Sequence, residues 1–152
     1  MKDEDLGWKK IVKELEELQE LRLIIYIDDK KTYEKTGLAV DYVAMLMEYG
    51  SDEFRVSFPS RPFFRDTFQY HKEHFALMLE QGINDIVGGK TTAKKVLQKI
   101  GKYAVTKVQD TIHNGKFPPI AENTAKRKES DSPLIDESIL ISSIKYRIER
   151  SE

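Results

Sequence analysis

The run Phe58-Pro59-Ser60-Arg61-Pro62-Phe63-Phe64-Arg65 constrains the fold more than any other stretch of this chain. Pro62 suits the first position of a helix, where its missing N–H is no loss and its fixed φ is already helical. The residue before a proline is driven toward extended backbone, so Arg61 falls at a corner between a strand and a helix. Upstream, Phe54, Val56 and Phe58 alternate with Arg55 and Ser57, the period of a half-buried strand. Downstream, a helix over 62–81 carries Phe64, Phe68, His71, Phe75 and Met78 on one face, and Gly82 with Gly88-Gly89 breaks it.

The rest of the chain supplies partners for that corner. Trp8, Ile11, Leu15 and Leu18 recur at helical steps, so residues 1–21 read as an amphipathic amino-terminal helix. Docking on its own domain and docking on a partner are both open to it. Leu21–Ile27 is short, apolar and β-rich, a strand that stops at the polar turn Asp28-Asp29-Lys30-Lys31. A helix over 38–49 places Leu38, Tyr42, Met45 and Tyr49 on a stripe, and Gly50 stands where a left-handed cap belongs. Thr91 or Thr92 caps a helix that runs to Asn114 on Ala93, Val96, Leu97, Ile100, Ala104, Val108 and Ile112. A helical turn over 137–143 precedes Ile144, Tyr146 and Ile148, which alternate as a last strand.

The expected fold is therefore α+β, with three to four helices packed on a small, mainly antiparallel sheet. Residues 22–152 form one domain, with long polar loops at 28–37, 82–92 and 116–133. The last of these is longer than most loops inside compact domains and has no composition for a core of its own. With 152 residues the chain buries a real core without staples, and it has no cysteine to supply disulfides or thiolate ligands. The net charge of -1 argues against a generic polyanion binder. No apolar run approaches a membrane span, and the acidic start is not a secretory signal, so no membrane partner is expected.

Several groups invite a chemical reading. His71 and His74 lie three apart on one helix with Glu73 between them, a spacing that can bring two imidazoles to one metal. A packed histidine pair is the simpler interpretation, and a His-dependent metalloenzyme is the weaker alternative. Lys90, Lys94, Lys95, Lys99, Lys102 and Lys107 form a partly one-sided basic stripe, which gives a nucleic-acid-binding protein as the other alternative. The stripe has little aromatic interleaving, so a solvated helix face or contact with an acidic neighbouring subunit is preferred, and no specific nucleic-acid recognition is expected. Gly88-Gly89-Lys90-Thr91 lacks the buried strand and first glycine of a phosphate loop. Glu48 and Arg61, opposite charges at the ends of two elements flanking one strand, are expected to pair. No catalytic residue, metal ligand or cofactor is assigned.

Four separated segments line up in order: Met47-Glu48-Tyr49-Gly50-Ser51; Phe58 to Arg65; Gly115-Lys116-Phe117-Pro118-Pro119-Ile120 through Thr124 to Lys128; and Pro133-Leu134-Ile135-Asp136-Glu137-Ser138 through Ser143. In this order and spacing, with Ile100-Gly101 between the second and third, the chain resembles the neck or tail-completion proteins of tailed bacteriophages, over roughly residues 38–149. Glu137-Ser138 stands where that family usually has Thr-Gly, and Ile120 replaces a usual leucine. The resemblance implies a structural, non-catalytic virion protein that assembles as a ring, commonly six-fold. Its partners would be its own copies, tail-tube or tail-terminator proteins and head-connector proteins, in the virion neck after a period in the host cytoplasm. The residues expected to make assembly contacts are Phe117, Pro118, Pro119, Ile120, Thr124, Lys128, Pro133, Leu134, Ile135 and Asp136. The structural corner that positions them would be Glu48, Gly50, Arg61, Pro62 and Phe63.

Overall fold

A computed structural model describes residues 7–34, 37–51, 59–115 and 138–152. The chain is α+β, as expected, with five helices and a two-stranded antiparallel sheet among the described residues. In chain order these are α1 (Trp8–Glu20), β1 (Leu21–Ile27), α2 (Val40–Tyr49), α3 (Phe63–Val87), α4 (Ala93–Asn114), α5 (Ser138–Ser142) and β2 (Ile144–Arg150). The expected strand at 54–58 lies outside the described residues. The chain divides into two compact units, one drawn from 1–25, 71–104 and 146–152, the other from 26–70 and 105–145.

In the first unit, α1 docks on its own chain. Leu15 and Leu18 pack with Leu23, Phe75 and Met78 against a buried cluster of Ile86, Val96 and Ile100. Glu14 adds a polar tie, because its Oε2 accepts the Ala93 N–H at 2.8 Å and so satisfies an orphan donor in the first turn of α4. The helix passes into β1 without a loop: Leu21 turns extended while its N–H still caps Glu17. The register of β1 against β2 is fixed by the Asp28 N–H on Ser143 O and the Ser151 N–H on Glu20 O. Arg22 and Glu149 face one another across the ladder at 2.9 Å.

Gly82 does not end α3, which continues to Val87. The expected loop over 82–92 is accordingly confined to 88–92, with Gly89 in the left-handed region. Gly82 is a contact glycine: a Cβ there would lie 2.4 Å from Val96 Cγ1. Gly101 serves α4 in the same way: a Cβ there would lie 2.5 Å from Tyr146 Cδ2. Both glycines let backbone approach a neighbouring side chain, at the propensity cost of a helical glycine.

In the second unit the buried side chains include Val40 and Ala44 of α2, Phe63 and Thr67 of α3, Val108 and Ile112 of α4, and Leu140 with Ile144. α2 and α5 pack against each other. Thr67 and Thr111 join α3 to α4 through a hydroxyl–hydroxyl contact of 2.6 Å. The polar stretch after β1 is tied down by the Thr32–Ala39 bridge and by the Val40 N–H on Lys31 O. Asp28, at its start, accepts from Lys145 Nζ and from the Lys30 N–H.

Candidate assembly site

α2 buries a face that its apolar pattern does not announce. Its inward positions are Val40, Ala44 and Glu48, spaced four apart, and the last of these is a carboxylate only 5% exposed. The expected core stripe lies on the outside: Leu38, Tyr42, Met45 and Tyr49 are all exposed, Tyr49 at 66%. The helix is thus apolar on two faces. The inner face packs within the unit, and the outer one presents two aromatics and a methionine to the surroundings.

The buried carboxylate explains the choice of inner face. Glu48 reaches the first turn of α3, where Oε2 accepts the Phe64 N–H at 2.9 Å and Oε1 accepts the Arg65 N–H at 3.0 Å. It is an N-terminal cap delivered from another helix. It satisfies two amide donors that helix geometry leaves unpaired and places negative charge at the positive end of the α3 dipole. Pro62 has no N–H to satisfy, and Phe63 N–H returns to Arg61 O. The first turn is therefore fully engaged.

The same carboxylate decides which arginine it keeps. Glu48 pairs with Arg65, Nε to Oε1 at 3.1 Å, and not with Arg61 as the sequence led us to expect. The reason is geometric: Arg65 lies in the helical turn whose amides the carboxylate already holds, so one oxygen takes both its N–H and its guanidinium. Arg65 also donates through Nη2 to the Glu48 carbonyl at 2.6 Å, and its guanidinium lies over the Tyr49 ring at 5.0 Å. Ser60 Oγ donates to the same carbonyl at 2.7 Å. Gly50, with φ 75°, turns the chain out of α2, and its N–H caps Leu46 O. The Arg61 N–H bonds Met47 O at 2.7 Å and returns the incoming chain to α2.

Arg61 itself is left over. It is 6% exposed, and its Nε has no hydrogen-bond partner. Among the described residues no carboxylate pairs with it. Burial pulls the guanidinium below its ordinary pKa. Phe63 is fully buried beside it, with the Phe64 ring 5.1 Å away and Phe68 a further 6.3 Å along.

The structure thus brings Glu48, Gly50, Arg61, Pro62 and Phe63 into one corner, with Ser60 and Arg65 as participants that sequence reasoning missed. The spacing of Arg65, one turn into a helix whose cap comes from elsewhere, was the available signal. Phe117, Pro118, Pro119, Ile120, Thr124, Lys128, Pro133, Leu134, Ile135 and Asp136 lie outside the described residues.

The other groups singled out by sequence have local partners. His71 meets Tyr103 edge-on at 6.0 Å between ring centroids, and the His74 ring lies 4.8 Å from the same tyrosine. Phe75 closes that aromatic group. Among the described residues, no three His, Asp or Glu side chains are grouped so as to hold a metal ion. Of the lysines, Lys94 lies 3.8 Å from Glu17 and Lys107 is 3.0 Å from Asp110, whereas Lys95, Lys99 and Lys102 are exposed along α4. No described helix is long and apolar enough to cross a membrane. Comparison with protein-family models, with curated proteins and with solved structures finds no match for the chain.

Proposed function

We propose that this chain is a structural protein of the head–tail neck of a tailed bacteriophage or prophage, completing the tail or joining it to the head by assembling into a ring. The observation that carries the reading is the corner. Two of the four segments on which the resemblance rests, around Glu48-Tyr49-Gly50 and around Arg61-Pro62-Phe63, meet through Glu48 and the first turn of α3. Residues that share a motif pattern for a structural reason ought to be in contact, and these are.

A second feature supports assembly over solitary life. The outer face of α2, with Tyr42, Met45 and Tyr49 exposed, has the aromatic and methionine content that protein interfaces favour. Partners would be further copies of the chain together with tail-tube or terminator proteins and head-connector proteins. The chain would act by shape and contact, breaking no bond. Electron microscopy of particles produced without this protein tests the reading. Separate heads and tails, or tails of defective length, are the expected result, and intact virions would refute it.

A further inference from the structure

We infer that Arg61 is an assembly receptor: its buried guanidinium takes a carboxylate side chain from a neighbouring copy of the chain when the ring forms. The inference rests on the neck reading above and deepens it by naming the contact.

A buried charge is tolerated when it is paired, because removing an ion from water costs far more than a marginally stable domain can absorb without compensation. Among the described residues, Arg61 has no anion to meet that requirement. It is more than nine-tenths buried, its Nε is sealed and unbonded, and the buried carboxylate among the described residues of the corner, Glu48, is engaged by other donors. Glu48 accepts from two backbone amides and from Arg65, and Arg61 is not among its partners. Both main-chain groups of Arg61 are tied, its N–H to Met47 O and its carbonyl to the Phe63 N–H, which fixes the backbone from which the side chain departs.

The chemistry of the missing partner follows from the donor. A guanidinium presents a planar fork that fits a carboxylate or a phosphate in two parallel hydrogen bonds. A slender carboxylate on a flexible stem can enter a nearly closed corner, whereas the phosphates of a duplex are held on a broad, rigid surface. A protein carboxylate is therefore the occupant, and the chain's 26 acidic residues make a second copy a sufficient source. The site sits at the foot of α2, whose exposed outer face would be covered by the same contact.

The test uses the full-length chain in two measurements, thermal melting of the isolated protein and sedimentation velocity over a range of concentrations. Arg61→Met removes the charge and keeps the stem. It should melt no lower than wild type, since an uncompensated charge is lost, while self-association weakens at least tenfold. Arg61→Lys keeps the charge without the fork and should associate more weakly than wild type, which keeps the test decisive if the methionine variant fails to fold. A lower melting temperature for folded Arg61→Met would show that the guanidinium is already compensated at home and would overturn the inference. Equal association of wild type and both variants would do the same, as would a wild-type chain that stays monomeric throughout. A titration with inorganic phosphate that protects wild type but not Arg61→Met, where acetate does not, would move the occupant to nucleic acid and refute the protein carboxylate. All of these outcomes leave the neck reading to be judged by the particles.

Discussion

Glu48 is the residue on which the corner turns, and its bonds can be ranked. Its partner Arg65 is 55% exposed, so their ion pair is screened and contributes within about 1 kcal/mol. The two amide bonds are partly buried and charge-assisted, each of a kind worth about 1.5–3 kcal/mol. The cap therefore outweighs the ion pair. Chemical denaturation should show Glu48→Ala losing at least about 3 kcal/mol and Arg65→Ala, whose guanidinium also holds the Glu48 carbonyl, about 1–2 kcal/mol. Comparable losses would mean that the ion pair, and not the cap, holds α3 to α2. The sequence led to the right carboxylate and the wrong arginine, because proximity along the chain favours Arg61 while the helical turn favours Arg65. Nothing in composition reveals which guanidinium a cap will select.

A second residue pair gives the protein a pH signature. The Lys145 ammonium, followed by the Lys30 N–H, holds the Asp28 carboxyl below the usual aspartate range. Asp28 in turn raises Lys145. A carboxyl depressed on folding stabilises the fold above its unfolded pKa of about 4, and that contribution disappears as pH falls through the folded value. A lysine raised on folding contributes below about pH 10.4 and loses its effect as pH climbs through its folded value. The pair therefore supports the fold between roughly pH 4 and 10. Melting temperature followed against pH should fall less steeply on the acid side in Asp28→Asn than in wild type. An unchanged acid slope would show that other carboxylates govern it.

At the scale of elements, the sequence was most legible where local preference and tertiary role agree. β1 was readable because Leu21–Ile27 is uninterrupted β-rich chain, and α4 because its apolar stripe and its Thr–Asn-Gly boundaries all coincide. α2 misled through its two faces. Leu38, Tyr42, Met45 and Tyr49 satisfy helical spacing as well as Val40 and Ala44 do, and the inner set is completed by a charge that hydrophobic patterning counts as surface. Gly82 misled differently. As a local signal it reads as a stop, and only the approach of Val96 gives it a reason to stand inside a helix.

That reason is testable. Replacing a helical glycine by alanine gains about 1 kcal/mol of propensity, but overfilling a packed site costs about 1–3 kcal/mol. Gly101→Ala would drive a methyl into the Tyr146 ring, and Gly82→Ala would drive one into the branched end of Val96. Both should lower stability despite the propensity gain. Pairing Gly101→Ala with Tyr146→Ala should recover part of the loss in a double-mutant cycle. A melting temperature that rises in either single variant would remove the close-approach explanation.

At the scale of the molecule, the assignment joins a resemblance carried by ordered segments to a corner in which two of those segments meet. Sequence carried this far because the segments keep their order and spacing along the chain. It could not supply the unpaired Arg61, since a missing partner is a property of three-dimensional surroundings alone.

The most direct measurement is restoration of joining in a lysate that lacks only this protein. Heads and tails from such a lysate should combine into infectious particles when the purified chain is added, and Arg61→Met should restore far fewer at the same concentration. Heads and tails that join without the chain, or that stay apart at every concentration of it, would contradict a role in the neck.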